Sequence, residues 1–227
     1  MQVNFLLFPA LTQLDLTGPY EVLARVPGAN IDFVSATMDP VRSDRGLVML
    51  PTATFATAKP CDLLVVPGGP GTDDVLNDER WVDFTAEQAR TARYILGICT
   101  GSLLLGAAGL LRGKHASCHW QAREFLPAFG AIRSDARMCV DGNILTSGGV
   151  TSGIDMALKA VGVMLDEDAA RQIQLQIEYD PEPPFEGGTP STSPPEIVQR
   201  CLDATRARHA IRAAAVGLAA QKLGVAS

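Results

Sequence analysis

Two kinds of segment alternate along the chain: short continuous apolar runs, and longer stretches whose apolar residues recur at helical spacing. The apolar runs predict strands at residues 3–8, 31–36, 62–67 and 94–98, of which the strand at 62–67 is expected to be central and the strand at 94–98 buried. The longer stretches predict helices at residues 18–26, 78–93, 100–111, 150–165, 166–179 and 196–223. Strands that alternate with helices indicate an α/β fold, here a flavodoxin-like three-layer sandwich with a mostly parallel sheet flanked by helices.

Turn-forming residues add two antiparallel hairpins and a long loop to this pattern. One hairpin is predicted around Asp141-Gly142, and a second is predicted to pair residues 47–55 with the segment before them, across a turn at residues 43–46. Residues 181–195 are rich in Pro, Gly, Ser and Thr and predict a loop before the last helix. We therefore predict a single domain over residues 1–227, in which this loop and the final helix are extensions.

The uncharged stretch at residues 94–111 is about long enough to span a bilayer, but its pattern favours a buried strand that turns into a buried helix. Four glycines interrupt it, and basic residues flank both of its ends. The N-terminus has no basic region of the kind that starts a signal peptide, since the first positive side chain is Arg25. We expect a cytoplasmic protein that does not act on membranes.

Charge and cysteine content exclude further classes of protein. The 227 residues contain 19 Lys and Arg against 25 Asp and Glu, a net charge of -6, which argues against a nucleic-acid surface. The five cysteines are widely spaced and form no CxxC pair, so neither a disulfide framework nor a zinc ribbon is expected. This cysteine usage fits a reducing compartment.

The most specific local motif is GICTG at residues 97–101, between a predicted strand and a predicted helix. It matches the nucleophile-elbow pattern G-x-S-x-G with Cys99 in place of serine. The tight turn of an elbow leaves no room for side chains two positions either side of the nucleophile, which explains the glycines. We expect Cys99 at a helix N-terminus, where thiolate is favoured over thiol. The alternative is a buried, inert cysteine that happens to lie between glycines.

A second glycine-rich segment, PGGPG at residues 67–71, follows the preceding apolar strand. If the strand before this segment pairs in parallel with the strand before Cys99, the segment lies beside the elbow. The amide N–H groups of Gly69 and Thr100 could then form an oxyanion hole. A phosphate-binding loop is disfavoured because the Walker lysine is missing and two aspartates follow at once. A plain turn remains the alternative.

Asp15 is the candidate acid, placed after the first strand and just before a predicted helix. Thr17 is the candidate N-cap of that helix, and Pro19 lies in its first turn. An aspartate in this position is often a helix cap, which is the structural alternative. Glu21 is a second acid on the helix and is expected to face solvent.

The three histidines give no metal signature. His115, Cys118 and His119 lie close in sequence, but their spacing matches no standard zinc motif and a fourth ligand is not evident. His119 is expected to begin a helix and, as a pocket residue, to approach Cys99. His209 lies among arginines on the last helix and is expected to be solvated.

Taken together, these motifs resemble the DJ-1/PfpI superfamily, which is related to the class I glutamine amidotransferase-like fold. The resemblance covers essentially the whole chain. The matching stretches are residues 5–24, 63–72, 98–120, 141–158 and 171–190. Within the superfamily the resemblance is to the isonitrile hydratase group, because the last stretch separates this group from shorter members.

The resemblance implies roles for three residues: Cys99 as nucleophile, Asp15 as its acidic partner and Thr100 as a further functional residue. It implies hydration of an isonitrile to an N-substituted formamide through a thioimidate on Cys99, with no metal or organic cofactor. A homodimer that acts on a small-molecule substrate is expected. Thr100 stands where many members have a histidine, which counts against a Cys–His amidase or peptidase. Ser117-Cys118 replaces two threonines and leaves the pocket's details open.

Two alternatives stay open on the same residues. One is a glyoxalase- or deglycase-like enzyme that acts on α-oxoaldehydes. The other is a redox-sensing or chaperone-like DJ-1 relative in which Cys99 is oxidised. The group also resembles the sensor domain of AraC-type regulators, but that function is not expected here because residues 196–223 are too short for a helix-turn-helix module.

Overall fold

The computed structural model describes residues 1–224, and these contain one large mixed sheet. The strands in chain order are β1 Gln2–Leu6, β2 Asn30–Ser35, β3 Val41–Arg42, β4 Val48–Met49, β5 Ala53–Thr54, β6 Leu63–Val66, β7 Tyr94–Ile98, β8 His115–Ala116, β9 Ile132–Arg133, β10 Met138–Asp141 and β11 Ile144–Ser147. Seven of them form the sheet in the order β10-β11-β7-β6-β1-β2-β5. Five of its six neighbouring pairs are parallel, and β10–β11 is antiparallel. The predicted mostly parallel sheet is confirmed.

Helices cover both faces of this sheet. They are α1 Gln13–Leu23, α2 Thr72–Val75, α3 Glu79–Ala89, α4 Gly101–Ala107, α5 Ser152–Met164, α6 Glu167–Gln176, α7 Pro195–Leu223 and a 3₁₀-helix at Arg123–Phe129. The connections β1–α1–β2 and β6–α3–β7 step in opposite directions across the sheet. Because such crossovers are right-handed, α1 and α3 lie on opposite faces. α5 and α6 pack on the α1 side, and α4 and α7 on the α3 side.

The centre of the sheet brings the candidate residues to one edge. All four residues of β6 are buried, as the continuous apolar run predicted. β1, β6 and β7 are neighbours and parallel, so their carboxyl ends point the same way. The segments that leave these ends carry Asp15, Gly68 and Cys99. Ligands of open α/β sheets bind at this edge.

The first helix begins earlier than predicted, at Gln13 instead of Gly18. Pro19 therefore lies inside the helix and removes one backbone hydrogen bond, the one that would reach the carbonyl of Asp15. Thr17 is not the N-cap, because its hydroxyl lies within the helix and donates to the Gln13 carbonyl at 3.0 Å. The correction places Asp15 in the first helical turn rather than before the helix.

Two other elements are shorter than predicted. α4 ends at Ala107 instead of Leu111, because Gly109 has a φ of 76° that an α-helix cannot contain. His119 does not begin a helix: the helix there is of the 3₁₀ type and begins at Arg123. Both segments combine glycine or proline with apolar residues, so periodicity alone overestimated their length.

The hairpin around Asp141-Gly142 is confirmed, with β10 and β11 on either side. The other predicted hairpin is only partly correct. β3 and β4 pair across the expected turn, but β5 leaves them and joins the large sheet beside β2. Among the helices of residues 1–224, none is long and apolar enough to cross a membrane.

Candidate active site

The turn after β7 has the geometry of a nucleophile elbow. Cys99 has a φ of 56°, a left-handed conformation that side chains other than glycine rarely adopt. A Cβ on Gly97 would lie 2.7 Å from the Leu105 side chain, and a Cβ on Gly101 would lie 2.1 Å from the Val66 carbonyl oxygen. Glycine is required at Gly101, where the neighbour is backbone, whereas at Gly97 the Leu105 side chain would have to move. Such strain is concentrated at functional sites.

Cys99 is nearly buried, with 5% of its surface exposed. Its own N–H donates to the Ser147 carbonyl at 3.2 Å, and the N–H of Thr100 faces the sulfur. Burial raises the pKa of the Cys99 thiol well above its usual range, and the neighbouring Asp15 and Cys118 raise it further. We expected the helix N-terminus to favour the thiolate. Burial instead favours the thiol, because the cost of desolvating the thiolate outweighs the stabilisation by the single N–H of Thr100.

Asp15 is the acid beside this thiol. Its side chain is completely buried, and Oδ2 accepts the Gly68 N–H at 3.0 Å. Oδ1 has no well-aligned hydrogen-bond donor, and the Cys99 thiol is the side chain that interacts with the carboxyl group. Burial raises the pKa of Asp15 to about 7, while the Gly68 amide and Cys99 oppose the rise and the charge of Asp44 adds to it.

The two groups therefore form a buried acid pair that holds at least one proton near neutral pH. The pKa values of Asp15 and Cys99 are both raised, mainly because burial desolvates their charged forms, and Asp15 raises the pKa of Cys99 further. Protons in such a pair belong to the pair rather than to one residue. The arrangement can deliver a proton and a sulfur nucleophile to the same atom of a substrate.

The hydroxyl of Thr100 is bound to the glycine-rich loop instead of facing an open space. It accepts the Gly69 N–H at 2.8 Å and lies 3.0 Å from the Thr72 hydroxyl and 3.1 Å from the Gly69 carbonyl. This differs from the expected oxyanion hole, because the Gly69 amide is already occupied. The second predicted donor, the N–H of Thr100, does lie at the sulfur.

His119 lies in a cavity beside the elbow. The cavity has a volume of about 300 Å³ and is also lined by Trp120, Arg123, Gly148 and Gly149. The Gln121 N–H donates to Nδ1 of His119 at 3.3 Å, so the proton of the neutral ring is on Nε2. Burial and two nearby arginines lower the pKa of His119 to about 4. No hydrogen bond joins it to Cys99 among the described residues.

The other histidines have protein partners. His115 lies beside Asp141, which accepts the His115 N–H at 2.9 Å and approaches Nδ1 at 3.4 Å. His209 does not stand free in solvent: Nε2 lies 2.7 Å from Glu124, and the ring packs against Phe125. Within residues 1–224, no three His, Cys, Asp or Glu side chains are grouped so that they could hold a metal ion.

Two contributors to the site were missed by sequence reasoning. The Gly68 amide donates to Asp15, a contact that the sequence did not predict. The sequence indicated only that residues 67–71 form a glycine-rich turn. Arg212 on α7 is buried and donates from Nε to Asp73 at 2.7 Å, which ties the last helix to the end of the glycine-rich loop. An alternation of arginine and alanine on a long helix gives no signal of which arginine faces inward.

Comparisons with known proteins agree with this geometry. The sequence model described as "DJ-1/PfpI family" matches residues 1–162. The isonitrile hydratase of Pseudomonas putida is 48% identical over 198 residues, which are 87% of each chain. A crystal structure of a THiJ/PfpI family protein from Pseudomonas syringae superposes with a TM-score of 0.93 at 39% identity, over 95% of this chain and 90% of that one. The transcriptional regulator GbdR of Pseudomonas aeruginosa is 36% identical over 52% of this chain and 32% of its own length.

Proposed function

Since this chain belongs to the DJ-1/PfpI family, we propose that it is an isonitrile hydratase that converts R–N≡C and water into an N-substituted formamide. The observation that carries the proposal is the buried contact between Cys99 and Asp15, directly beside the elbow. The 48% identity to the hydratase of Pseudomonas putida, over most of both chains, supports the choice of substrate.

In the first step the Cys99 sulfur attacks the terminal carbon of the isonitrile. That carbon carries a lone pair and becomes basic as the C–S bond forms, so it takes the proton shared by the thiol and Asp15. The product is a thioimidate, R–N=CH–S–Cys99. The raised pKa values suit this step, because they keep the proton on the pair until the carbon accepts it.

In the second step water adds to the thioimidate carbon. Asp15, now ionised, takes a proton from the water as its oxygen adds to the carbon and passes that proton to the nitrogen, which gives the tetrahedral adduct R–NH–CH(OH)–S–Cys99. The C–S bond then breaks, the formamide R–NH–CHO leaves, and the hydroxyl proton of the adduct goes to the pair of Cys99 and Asp15. The Thr100 N–H faces the sulfur and stabilises its negative charge as it departs.

For Thr100 we propose a positioning role through its hydroxyl. The hydroxyl holds Gly69, while the adjacent Gly68 amide holds the carboxyl group of Asp15. Loss of the hydroxyl would loosen both contacts together. A direct role in orienting water would require the hydroxyl to leave Gly69 and Thr72, and the contacts at 2.8 and 3.0 Å oppose this.

The test is to mix the purified protein with a simple alkyl isonitrile and to follow the formamide proton by NMR. We expect formamide from the parent protein and none from the Cys99→Ala variant. A folded parent protein that forms no formamide from any of several isonitriles would contradict the proposal. Methylglyoxal in the same assay tests the α-oxoaldehyde alternative, which needs the same nucleophile.

We also propose that the protein is a homodimer. Leu47, Val48 and Leu50 are exposed by 49, 47 and 66%, and they lie together on and beside the β3–β4 hairpin. Apolar side chains grouped on a surface favour association. Phe185, in the loop at residues 181–195, is 85% exposed. Sedimentation equilibrium should give twice the 24.1 kDa mass of one chain, and the mass of a monomer would contradict this.

A further inference from the structure

The cavity that contains His119 is not lined by Cys99 itself but reaches the chain next to two neighbours of Cys99. Gly148 lines it and directly follows Ser147, whose carbonyl accepts the Cys99 N–H. His119 also lines it and directly follows Cys118, a buried neighbour that raises the pKa of Cys99. Its volume of about 300 Å³ leaves room for a substituent of several carbon atoms.

One guanidinium group in this cavity has unused donors. Nη1 of Arg123 donates to the backbone and side-chain oxygens of Asp135 at 3.0 and 3.2 Å. Nε of Arg123 is buried and has no hydrogen-bond partner. Nη2 faces Gly148, where a Cβ would lie 4.0 Å away, and no described residue accepts a hydrogen bond from it. An unsatisfied donor that is already desolvated favours an incoming acceptor.

The free edge of Arg123 matches a carboxylate. Nη2 lies on the cavity side, beside Gly148, and a carboxylate in the cavity can accept a charge-assisted hydrogen bond from it. By contrast, the other arginine of the cavity, Arg137, is occupied by Asp155 and the Thr151 hydroxyl. The protonated Nε2 of His119 adds a neutral donor on the wall near Gly149.

The local charge also favours an anion, although the chain carries a net charge of -6. Asp135 in the cavity wall is shared by Arg123 and Arg133, so one carboxylate faces two cations. Behind His119, the single carboxylate of Asp73 faces Arg208 and Arg212. Each of these groups leaves one positive charge in excess beside the cavity.

We infer that this cavity binds the nitrogen substituent of the isonitrile and that Arg123 selects substituents that carry a carboxylate. The inference rests on the proposed function for the reacting isonitrile group. The substrate class is then an isocyano carboxylate, in which a short carbon chain separates the isonitrile from the acid. Arg123 is the specificity-determining residue, and Gly188, Thr189 and Pro190 of the long loop close the cavity from outside.

The experiment compares 3-isocyanopropanoate with 3-isocyanopropanamide, which have nearly the same shape and differ in charge. We expect the parent protein to prefer the carboxylate by roughly tenfold or more in kcat/KM, mainly through a lower KM. The Arg123→Gln variant should bring the ratio close to one. Arg206→Gln on α7 is the control, since this exposed arginine pairs with Asp203 outside the cavity and its loss should keep the parent's ratio.

A binding measurement separates this inference from the proposed function. The Cys99→Ala variant, with and without Arg123→Gln, is titrated with N-formyl-β-alanine and with its amide. Weaker binding of the acid on loss of Arg123, with no change for the amide, supports the carboxylate site even if no isonitrile is hydrated. Equal turnover of both isonitriles by the parent protein would overturn the inference and leave the hydratase function intact. Failure to bind the acid in preference to the amide overturns it as well.

Discussion

At the scale of single residues, the chemistry depends on one shared proton. Asp15 and Cys99 are buried beside each other, and burial raises the pKa of both. Asp15 raises the pKa of Cys99 further, whereas Cys99 partly lowers that of Asp15. An isonitrile carbon needs both a nucleophile and a proton, so a resting thiol with a carboxyl neighbour suits it better than a preformed thiolate. The burial that makes this pair unfavourable for stability is the feature that makes it useful.

That burial predicts a pH dependence of stability. The unfolded chain releases the Asp15 proton near pH 3.8, whereas the folded protein holds it up to about pH 7. Between these values the folded state binds more protons, so the free energy of unfolding falls as the pH rises. The Asp15→Asn variant does not titrate there. Its free energy of unfolding, relative to that of the parent, should rise across this window by about 4 kcal/mol at most.

Denaturant unfolding of both proteins at closely spaced pH values measures this difference. It should grow between about pH 4 and pH 7 and level off above, because Asp15 is then ionised in both states. A difference that does not change with pH would show that Asp15 ionises normally in the folded protein.

Cys99 should react slowly with alkylating reagents despite its place at an elbow. It is 5% exposed and its pKa is raised, so little thiolate is available at pH 7. Cys201 on α7 is exposed and serves as the internal control. Brief iodoacetamide treatment followed by peptide mass spectrometry should modify Cys201 first. Preferential modification of Cys99 would instead favour a redox-sensing thiol.

At the scale of elements, the elbow depends on contact between backbones. The closest of these is at Gly101, where a Cβ would lie 2.1 Å from the Val66 carbonyl. Gly101→Ala should therefore separate α4 from β6 and lower both stability and activity. Gly217→Ala is the control, because nothing lies within 4 Å of a Cβ at that helical position.

Thermal unfolding of the two alanine variants gives the comparison. Gly101→Ala should lose several degrees, whereas Gly217→Ala should be neutral or slightly stabilising, since alanine favours helix more than glycine by about 1 kcal/mol. Equal effects of the two substitutions would contradict the tight turn.

The last helix is joined to the site by a buried ion pair. Asp73 is 1% exposed and lies 2.7 Å from Nε of Arg212, whose side chain is 9% exposed. Arg212→Met would leave the carboxylate buried without its main partner, which costs about 3–5 kcal/mol. Arg206→Met on the same helix breaks only the exposed pair with Asp203 and should cost less than about 1 kcal/mol.

Adding Asp73→Asn to Arg212→Met should recover part of the loss, because the buried charge is then removed. The free energies of unfolding of the single and double variants, measured with denaturant, form a double-mutant cycle. If the double variant is as unstable as the sum of the two single variants, Asp73 and Arg212 act independently and the helix is held by other contacts.

At the scale of the whole molecule, the sequence predicts those elements that depend on local sequence patterns. The buried strands and the elbow were correct, since continuous apolar runs and the spacing of Gly97 and Gly101 allow few other structures. The start of α1 was wrong because Pro19 usually marks a first turn, whereas here the packing of the helix tolerates it. Local conformational preferences determine where a helix begins only when tertiary contacts do not oppose them.

Contacts between distant segments set the limit of prediction. The Gly69 amide looked free for an oxyanion, but the Thr100 hydroxyl, 31 residues away, occupies it. The partner of Asp73 lies 139 residues away on α7 and carries no motif. A resemblance to a known family supplied the pairing of Asp15 with Cys99, which spacing alone did not determine.

The central claim is that Asp15 and Cys99 act as one proton-sharing pair in isonitrile hydration. The most direct measurement is the rate of formamide formation by the Asp15→Asn variant, whose fold is checked by circular dichroism. The account predicts a loss of at least about 100-fold in kcat, because the variant has neither the shared proton nor the base for water. Full turnover by a folded Asp15→Asn protein would contradict it.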